Sequence, residues 1–240
     1  MNALIADIVT GARAEGEMLP REVDLAQQFD VSRGVARETI RALEERGLVT
    51  VKHGRGATVN EAGQWNVFDP DVLGVLLAGK DSDRILAEYL ECRRILEVEA
   101  AGLAAERASE EDLDKLRAAL TRMEEMAEEP RNATSERIYH EADIAFHQVL
   151  IAATANRALA VLVGRIHSAL LLARFPLARP QYRVARSLPE HRRIFEAIAA
   201  GDADSARAAM NDHLDTIVSY LRERSSGANG RKKTRRKTPS

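Results

Sequence analysis

The sequence predicts a mainly α protein, with a winged helix-turn-helix at the N-terminus and an all-α bundle of six to seven helices behind it. Residues 1–60 read in order as helix, helix, turn, helix and hairpin. From Asp83 onward apolar residues recur at helical spacing, and no strand pattern of useful length appears. Ala, Leu, Glu and Arg dominate while aromatic residues make up only 4% of the chain, a mixture that favours helix.

Ile5, Ile8 and Val9 form an amphipathic start, a helix to about Ala12 that is broken by Gly16. "EMLP" reads as an extended link, because the residue before Pro20 is pushed out of the helical region. "REVDLAQQF" is the second helix, with Val23, Leu25, Ala26 and Phe29 on one side. Asp30 takes the turn, since aspartate tolerates a left-handed backbone. Ser32 is the N-cap of the third helix, "RGVARETIRALEER", whose inward face is read as Val35, Ile40, Leu43 and Leu48. Gly47 ends it. "LVTVK" and "ATVN" are strands joined by "HGRG", a wing. Residues 61–82 contain Gly, Pro and the single Trp, and read as a linker with a short helix near Val72–Leu77. The bundle spans 83–226, with helices near 83–107, 110–128, 136–153, 157–175, 188–200 and 203–224. Ser109 with Asp112, Ser135 and Ser187 mark starts. Pro130, Pro176, Pro180 and Gly201 mark breaks. The basic segment 227–240 reads as a disordered tail.

No apolar run is long enough to span a bilayer. "MNALIADIVTGARAEG" lacks the basic start and small-residue cleavage site of a signal peptide. The one cysteine, Cys92, excludes a disulfide framework and a Cys-based zinc site. A reducing cytoplasm fits these features. The net charge of −2 hides a pattern. Residues 1–60 carry 8 basic and 9 acidic groups, residues 61–221 carry 19 and 27, and residues 222–240 carry 8 and 1. An acidic body excludes a globally basic nucleic-acid binder, so any DNA contact is local.

Arg33, Arg37 and Arg41 lie four apart and form one ridge on the third helix. Gly34 lets the backbone approach another molecule closely. Arginine can grip guanine O6 and N7, or a phosphate, with two hydrogen bonds. An isolated arginine ridge is equally compatible with a solvated face in which Glu38, Glu44 and Glu45 pair with it. The "HGRG" tip breaks that tie, because it follows at the spacing of a wing and offers His53, Gly54 and Arg55 to a groove. A phosphate-binding loop is excluded, since no Gly-rich turn precedes a helix with Lys-Ser/Thr.

"LPREVDLAQQFDVSRGVARETIRALEERGLVTVKHGRGATV" resembles the N-terminal domain of the GntR family of bacterial transcription regulators, over about forty residues without a gap. In that family the third helix enters the major groove and the wing the adjoining minor groove. The resemblance assigns DNA contact to Ser32, Arg33, Gly34 and Arg37 on the helix, and to His53, Gly54 and Arg55 on the wing. The family usually has Arg where this chain has Val23. Arg21, two residues earlier, either takes over that phosphate contact or the contact is absent.

In the bundle, Asp143 and His147 are four apart and share a face with Tyr139, Phe146 and Leu150. His191 shares a face with Ile194, Phe195 and Ile198, and His213 with Ala206, Ala209, Met210, Ile217 and Tyr220. One such histidine is more often a satisfied core residue than a ligand. Three of them, with a carboxylate, suit a shared divalent cation that leaves no polar group buried unpaired. Arg93 lies on the stripe of Leu86, Tyr89, Leu96, Ala100 and Leu103, where an arginine wants an anion. The plain alternative is an i,i+4 pair with Glu97, worth a fraction of a kcal/mol if exposed.

"RRILEVEAAGLAAERA", "EADIAFHQVL" and "EHRRIFEAIAAGDADSARAAMNDHL" resemble the FCD ligand-binding domain, the partner of one GntR subfamily. The resemblance implies that Asp143, His147, His191 and His213 hold a divalent metal, zinc or else nickel, beside an effector pocket. It implies that Arg93 meets an effector carboxylate, with Arg174 a second candidate. His140 is a decoy or outer group, and His167 stays unassigned. "QWNVFDPDVL" resembles the linker of regulators that answer to sugar acids, the galactonate type among them. The chain is thus expected to be a homodimeric regulator, a repressor, binding a palindromic double-stranded operator under control of a small carboxylate. The alternatives are a metal-dependent all-α enzyme and a metal-stabilised scaffold without effector control.

Overall fold

The structure, a computed structural model, describes the backbone of residues 1–52, 54–130, 132–172 and 180–234, and the side chains of these except 171–172, 180–186 and 220–234. The chain divides into two compact units, the first holding Met1–Ile85 and a short segment that starts at Ser168, the second holding Leu86–His167 and the rest of the chain beyond that segment.

In the first unit α1 (Asn2–Val9), α2 (Glu22–Gln28) and α3 (Arg33–Glu45) precede an antiparallel hairpin, β1 (Val49–Lys52) with β2 (Gly56–Val59), in which Val49 faces Val59. The extended link pairs with β2 at Met18 and Thr58, and Leu19 N–H donates to the Ala57 carbonyl at 2.8 Å. Asp30 adopts φ +50°, so the turn between α2 and α3 is the left-handed one expected of aspartate. Ser32 caps α3, its hydroxyl accepting from Val35 N–H at 3.2 Å, a bond worth about 1 kcal/mol. Ile5, Leu25, Leu43 and Leu48 form the centre of a core that also holds Ala36 and Ile40.

Two expectations about that core are corrected. Val35 is 51% exposed, and Ala36 is buried in its place. Val23 and Phe29 are also exposed, while Leu25 and Ala26 carry the buried side of α2. In a helix this short the apolar positions fit two phases, and only packing chooses between them.

The segment read as a linker packs on this unit. After a 3-10 turn at Ala62–Gln64, α4 (Pro70–Ala78) lies against α1, with Val72 fully buried in the core. Asp69 caps α4 and pairs with Arg46 at 3.2 Å, and Arg46 also meets Asp71 at 3.1 Å. Gly47 is required here. Its φ is +69°, and a Cβ would stand 2.1 Å from the Gln64 carbonyl oxygen.

The second unit is built, among the described residues, from α5 (Ser82–Arg107) after Ile85, α6 (Glu110–Glu128), α7 (Ala133–Ala153), α8 (Arg157–Leu172) up to His167, α9 (Pro180–Ala199) and α10 (Ala203–Thr234). α6 packs on α7 and α9, and α9 on α10. Ser109 and Asp112 make the expected reciprocal cap of α6. Asn132 caps α7, one turn before the expected start, with Ser135 as its reciprocal partner. α9 begins at Pro180, where a break is expected, since proline fits a helix's first turn. Ser187 is therefore inside α9, as is Pro189. α10 runs past the expected end near 224, with no proline before Pro239 to stop it. Leu116, Met123, Phe146, Leu150, Ile194 and Met210 form the buried centre.

Candidate functional site

On α3 the ridge divides into two kinds of arginine. Arg41 pairs with Glu45 at 3.5 Å, and Glu44 accepts from Val51 N–H at 3.1 Å. Among the described residues Arg33 and Arg37 have neither ion pair nor hydrogen bond and are exposed, as are Ser32 and Gly34. Arg21 is the exposed residue at the N-cap of α2. Gly54 and Arg55 are exposed at the hairpin tip, where Gly54 has φ +73° and Arg55 N–H donates to the Lys52 carbonyl at 2.9 Å. His53 lies outside the described residues, and so does Arg174.

In the second unit α7, α9 and α10 bring His147, His191 and His213 together. Ring nitrogens of all three lie within 4.8 Å of one another, and all three side chains are buried. His147 Nε2 and His191 Nε2 are 3.3 Å apart. Asp143, one turn before His147 on α7, places Oδ1 3.1 Å from His191 Nε2. His140, 44% exposed, stands 4.0 Å from the far oxygen of Asp143, outside this group.

Each ring is held from its other nitrogen. His191 Nδ1 lies 2.7 Å from the Ser187 carbonyl oxygen, which can only accept, so the Nδ1 carries the proton. His213 Nδ1 lies 2.9 Å from Glu190, which also accepts from the Thr216 hydroxyl at 2.7 Å. His147 Nδ1 lies 3.1 Å from the Glu97 carboxylate, near enough for charge attraction but outside hydrogen-bond geometry. Protons at Nδ1 leave bare Nε2 atoms turned toward one another and toward a carboxylate. His213 Nε2 is buried with no partner among the described residues. Burial pushes the rings of His147 and His213 down, that of His213 further because the other two histidines crowd it. Neutral imidazoles and one carboxylate form a suitable donor set for a divalent cation. Zinc bound to nitrogen at about 2.0–2.1 Å separates tetrahedral ligands by about 3.3 Å, which the His147–His191 spacing meets.

The sequence offers Glu97 only as an exposed partner of Arg93, and it gives no sign of Glu190. Glu97 is fully buried, and its carboxylate meets Arg93 Nε at 2.6 Å, Arg93 Nη2 at 3.3 Å and His167 Nε2 at 2.7 Å, besides His147. Burial alone would raise its pKa, but Arg93 and the two histidines outweigh that and hold it well below the usual range. Arg93 does make the i,i+4 pair, yet the pair is buried rather than exposed. The signal available in sequence was an acidic residue on the apolar stripe of α5, one turn after Arg93. Glu190, beside His191, carried no periodic signal.

A helix with two unengaged arginines, followed by a wing and joined to an all-helical unit, is the architecture of a winged-helix transcription regulator. Comparison with known proteins agrees from both ends. Residues 1–59 match the bacterial regulatory proteins of the gntR family, and residues 88–216 match the FCD domain. The chain belongs to the GntR family of regulators, in the branch that carries an FCD domain. It is 33% identical over 220 residues to the galactonate operon transcriptional repressor of Escherichia coli (strain K12), covering 90% of this chain and 92% of that protein. It is 33% identical over 219 residues to the HTH-type transcriptional regulator LutR of Bacillus subtilis (strain 168), covering 89% and 95%. Among solved structures, Streptococcus agalactiae GntR superposes with a TM-score of 0.51 at 26% identity, covering 92% of this chain and all of that one. Lar, described as controlling the Listeria monocytogenes agr system, shares the fold with a TM-score of 0.60 at 23% identity, covering 90% and 92%. These relatives are named as regulators, which removes the enzyme alternative. No helix among the described residues is long and apolar enough to cross a membrane.

Proposed function

We propose that this regulator is a cytoplasmic homodimeric repressor, binding a palindromic operator and releasing it in response to a small sugar acid or hydroxy acid held beside a zinc ion. The observation that carries the sensing half is the convergence of Asp143, His147, His191 and His213, with the Nε2 of His213 buried and without a partner among the described residues. These four residues would hold the ion, for which nickel is the second choice. When bound, the ion supplies a Lewis-acidic position suited to an α-hydroxy carboxylate. Arg93 would hold the effector's carboxylate. The reading half assigns base contact to Arg33 and Arg37 and backbone approach to Gly34 and the Gly54–Arg55 tip, with Ser32, Arg21 and His53 beside them.

Control follows from linkage. An acid that binds two arrangements of the dimer unequally changes operator affinity by the same coupling free energy. The similarity to a galactonate operon repressor supports sugar acids as the first class to test. The test is a thermal-shift screen of zinc-loaded protein against sugar acids and short hydroxy acids. An acid at a hundredfold its dissociation constant adds about 2.7 kcal/mol of stability. Zinc-loaded protein that ignores every acid of both classes refutes the effector assignment.

A further inference from the structure

We propose that Glu97 is a positioning residue that holds the metal ligand His147 and the effector-gripping Arg93 in one frame, so that the metal and effector sites share a single carboxylate. This builds on the metal and effector roles given above. Oε1 meets Arg93 Nε at 2.6 Å and His167 Nε2 at 2.7 Å, and Oε2 meets His147 Nδ1 at 3.1 Å and Arg93 Nη2 at 3.3 Å. A carboxylate offers about four lone-pair directions; hydrogen bonds from Arg93 and His167 take three of them, and His147 Nδ1, close but off the hydrogen-bond angle, faces the fourth. Glu97 therefore has no lone pair to spare for a metal ion. It stands behind a ligand instead of acting as one, the place from which a carboxylate fixes an imidazole's tautomer and orientation.

The geometry at Arg93 completes the frame. Glu97 takes the Nε–Nη2 edge of the guanidinium, which leaves both N–H groups of Nη1 and one of Nη2 for another acceptor. A buried arginine pinned along one edge presents the other in a set direction, which suits a single carboxylate. Glu190 is the internal contrast. It holds the metal ligand His213 in a similar manner but reaches Thr216 and not Arg93. Both glutamates should support the metal, and only Glu97 should also support the acid.

The experiment compares Glu97→Gln and Glu190→Gln in the full-length protein. Zinc affinity is read by competition with a chromophoric chelator, and the affinity of zinc-saturated protein for D-galactonate and L-lactate by calorimetry. Loss of an outer partner costs about 10–100-fold in metal affinity, and both variants should show it. At zinc saturation Glu97→Gln should bind the acid at least about tenfold more weakly, while Glu190→Gln stays within about twofold, the difference set by the lost orientation of Arg93. Because Glu97→Gln strands a buried guanidinium, the double variant Arg93→Gln/Glu97→Gln is the folded control, and it should show the same zinc loss. Glu97 variants with wild-type zinc affinity overturn the proposal, as does weakened zinc binding with undiminished acid affinity. Wild-type protein that binds no zinc refutes the functional reading itself, and this proposal with it. If zinc binds but neither acid does, the effector assignment fails and the zinc arm alone decides on Glu97.

Discussion

Arg33→Ala, Arg37→Ala and Arg41→Ala separate base reading from charge attraction on one helix. Arg33 and Arg37 are exposed and meet no acid among the described residues, so their whole hydrogen-bonding capacity is available to DNA. A bidentate contact to guanine is worth about 1–3 kcal/mol of discrimination, which is roughly 5- to 150-fold in dissociation constant. Arg41 shares its charge with Glu45 at 3.5 Å, with both side chains about two-thirds exposed. Such a pair contributes at most about 1 kcal/mol, so Arg41→Ala should weaken all duplexes slightly and alike. None of the three supports the core, and surface changes of this kind shift stability by about 0.5 kcal/mol or less. The assay is fluorescence anisotropy at one salt concentration, with an operator selected from a random duplex library and a scrambled duplex. Arg33→Ala and Arg37→Ala should lose affinity for the operator far more than for the scrambled duplex. Equal losses on both would reduce these residues to phosphate contacts. A larger operator-specific loss in Arg41→Ala would refute the division of the ridge.

Gly47→Ala should destabilise the first unit by about 1–3 kcal/mol from its backbone conformation alone, and by more from the contact with the Gln64 carbonyl. The chain's single tryptophan, Trp65, belongs to that unit, so its fluorescence during urea unfolding reports the change, and an unaltered midpoint would contradict it. Removing the basic segment 231–237 should flatten the salt dependence of DNA binding through lost counterion release and leave operator preference intact. Altered preference would make that segment a reader. His147 and His213 titrate below the ordinary 6.5 when folded, mainly through burial, so the unfolded chain takes up protons that the folded unit refuses. Their contribution is present above about pH 6.5 and declines as pH falls below it, so the melting temperature of metal-stripped protein should drop between pH 7 and pH 5. A flat profile across that range would contradict the burial of neutral rings.

Local chemistry made much of this legible in the sequence. Ser32 as a cap, Asp30 as a left-handed turn and Gly47 as a terminator each express a preference that acts over a few residues. Asp143 and His147 could be paired because i and i+4 share a helix face, and His191 and His213 because each lies on an apolar stripe. What the sequence hid depended on tertiary packing. Val35 and Ala36 are both apolar, and only the position of α2 and the hairpin decides which one is buried. The contact of Glu97 with His147 and His167 joins residues 50 and 70 positions apart, beyond any helical period. An acid beside Arg93 looked like an exposed pair because sequence does not show that the stripe closes over it. Residues 61–82 look like a linker by composition, yet Val72 closes the first unit's core.

The most direct test of metal-dependent effector control is operator affinity measured four ways: zinc-loaded and chelator-stripped protein, each with and without the acid found by the screen. In zinc-loaded protein the acid should weaken operator binding by about 5- to 150-fold, a coupling of about 1–3 kcal/mol. Stripped protein should bind the operator but respond little, and His213→Ala, with reduced metal content by mass spectrometry, should behave like stripped protein. A full response from stripped protein, or from His213→Ala without metal, would contradict the account.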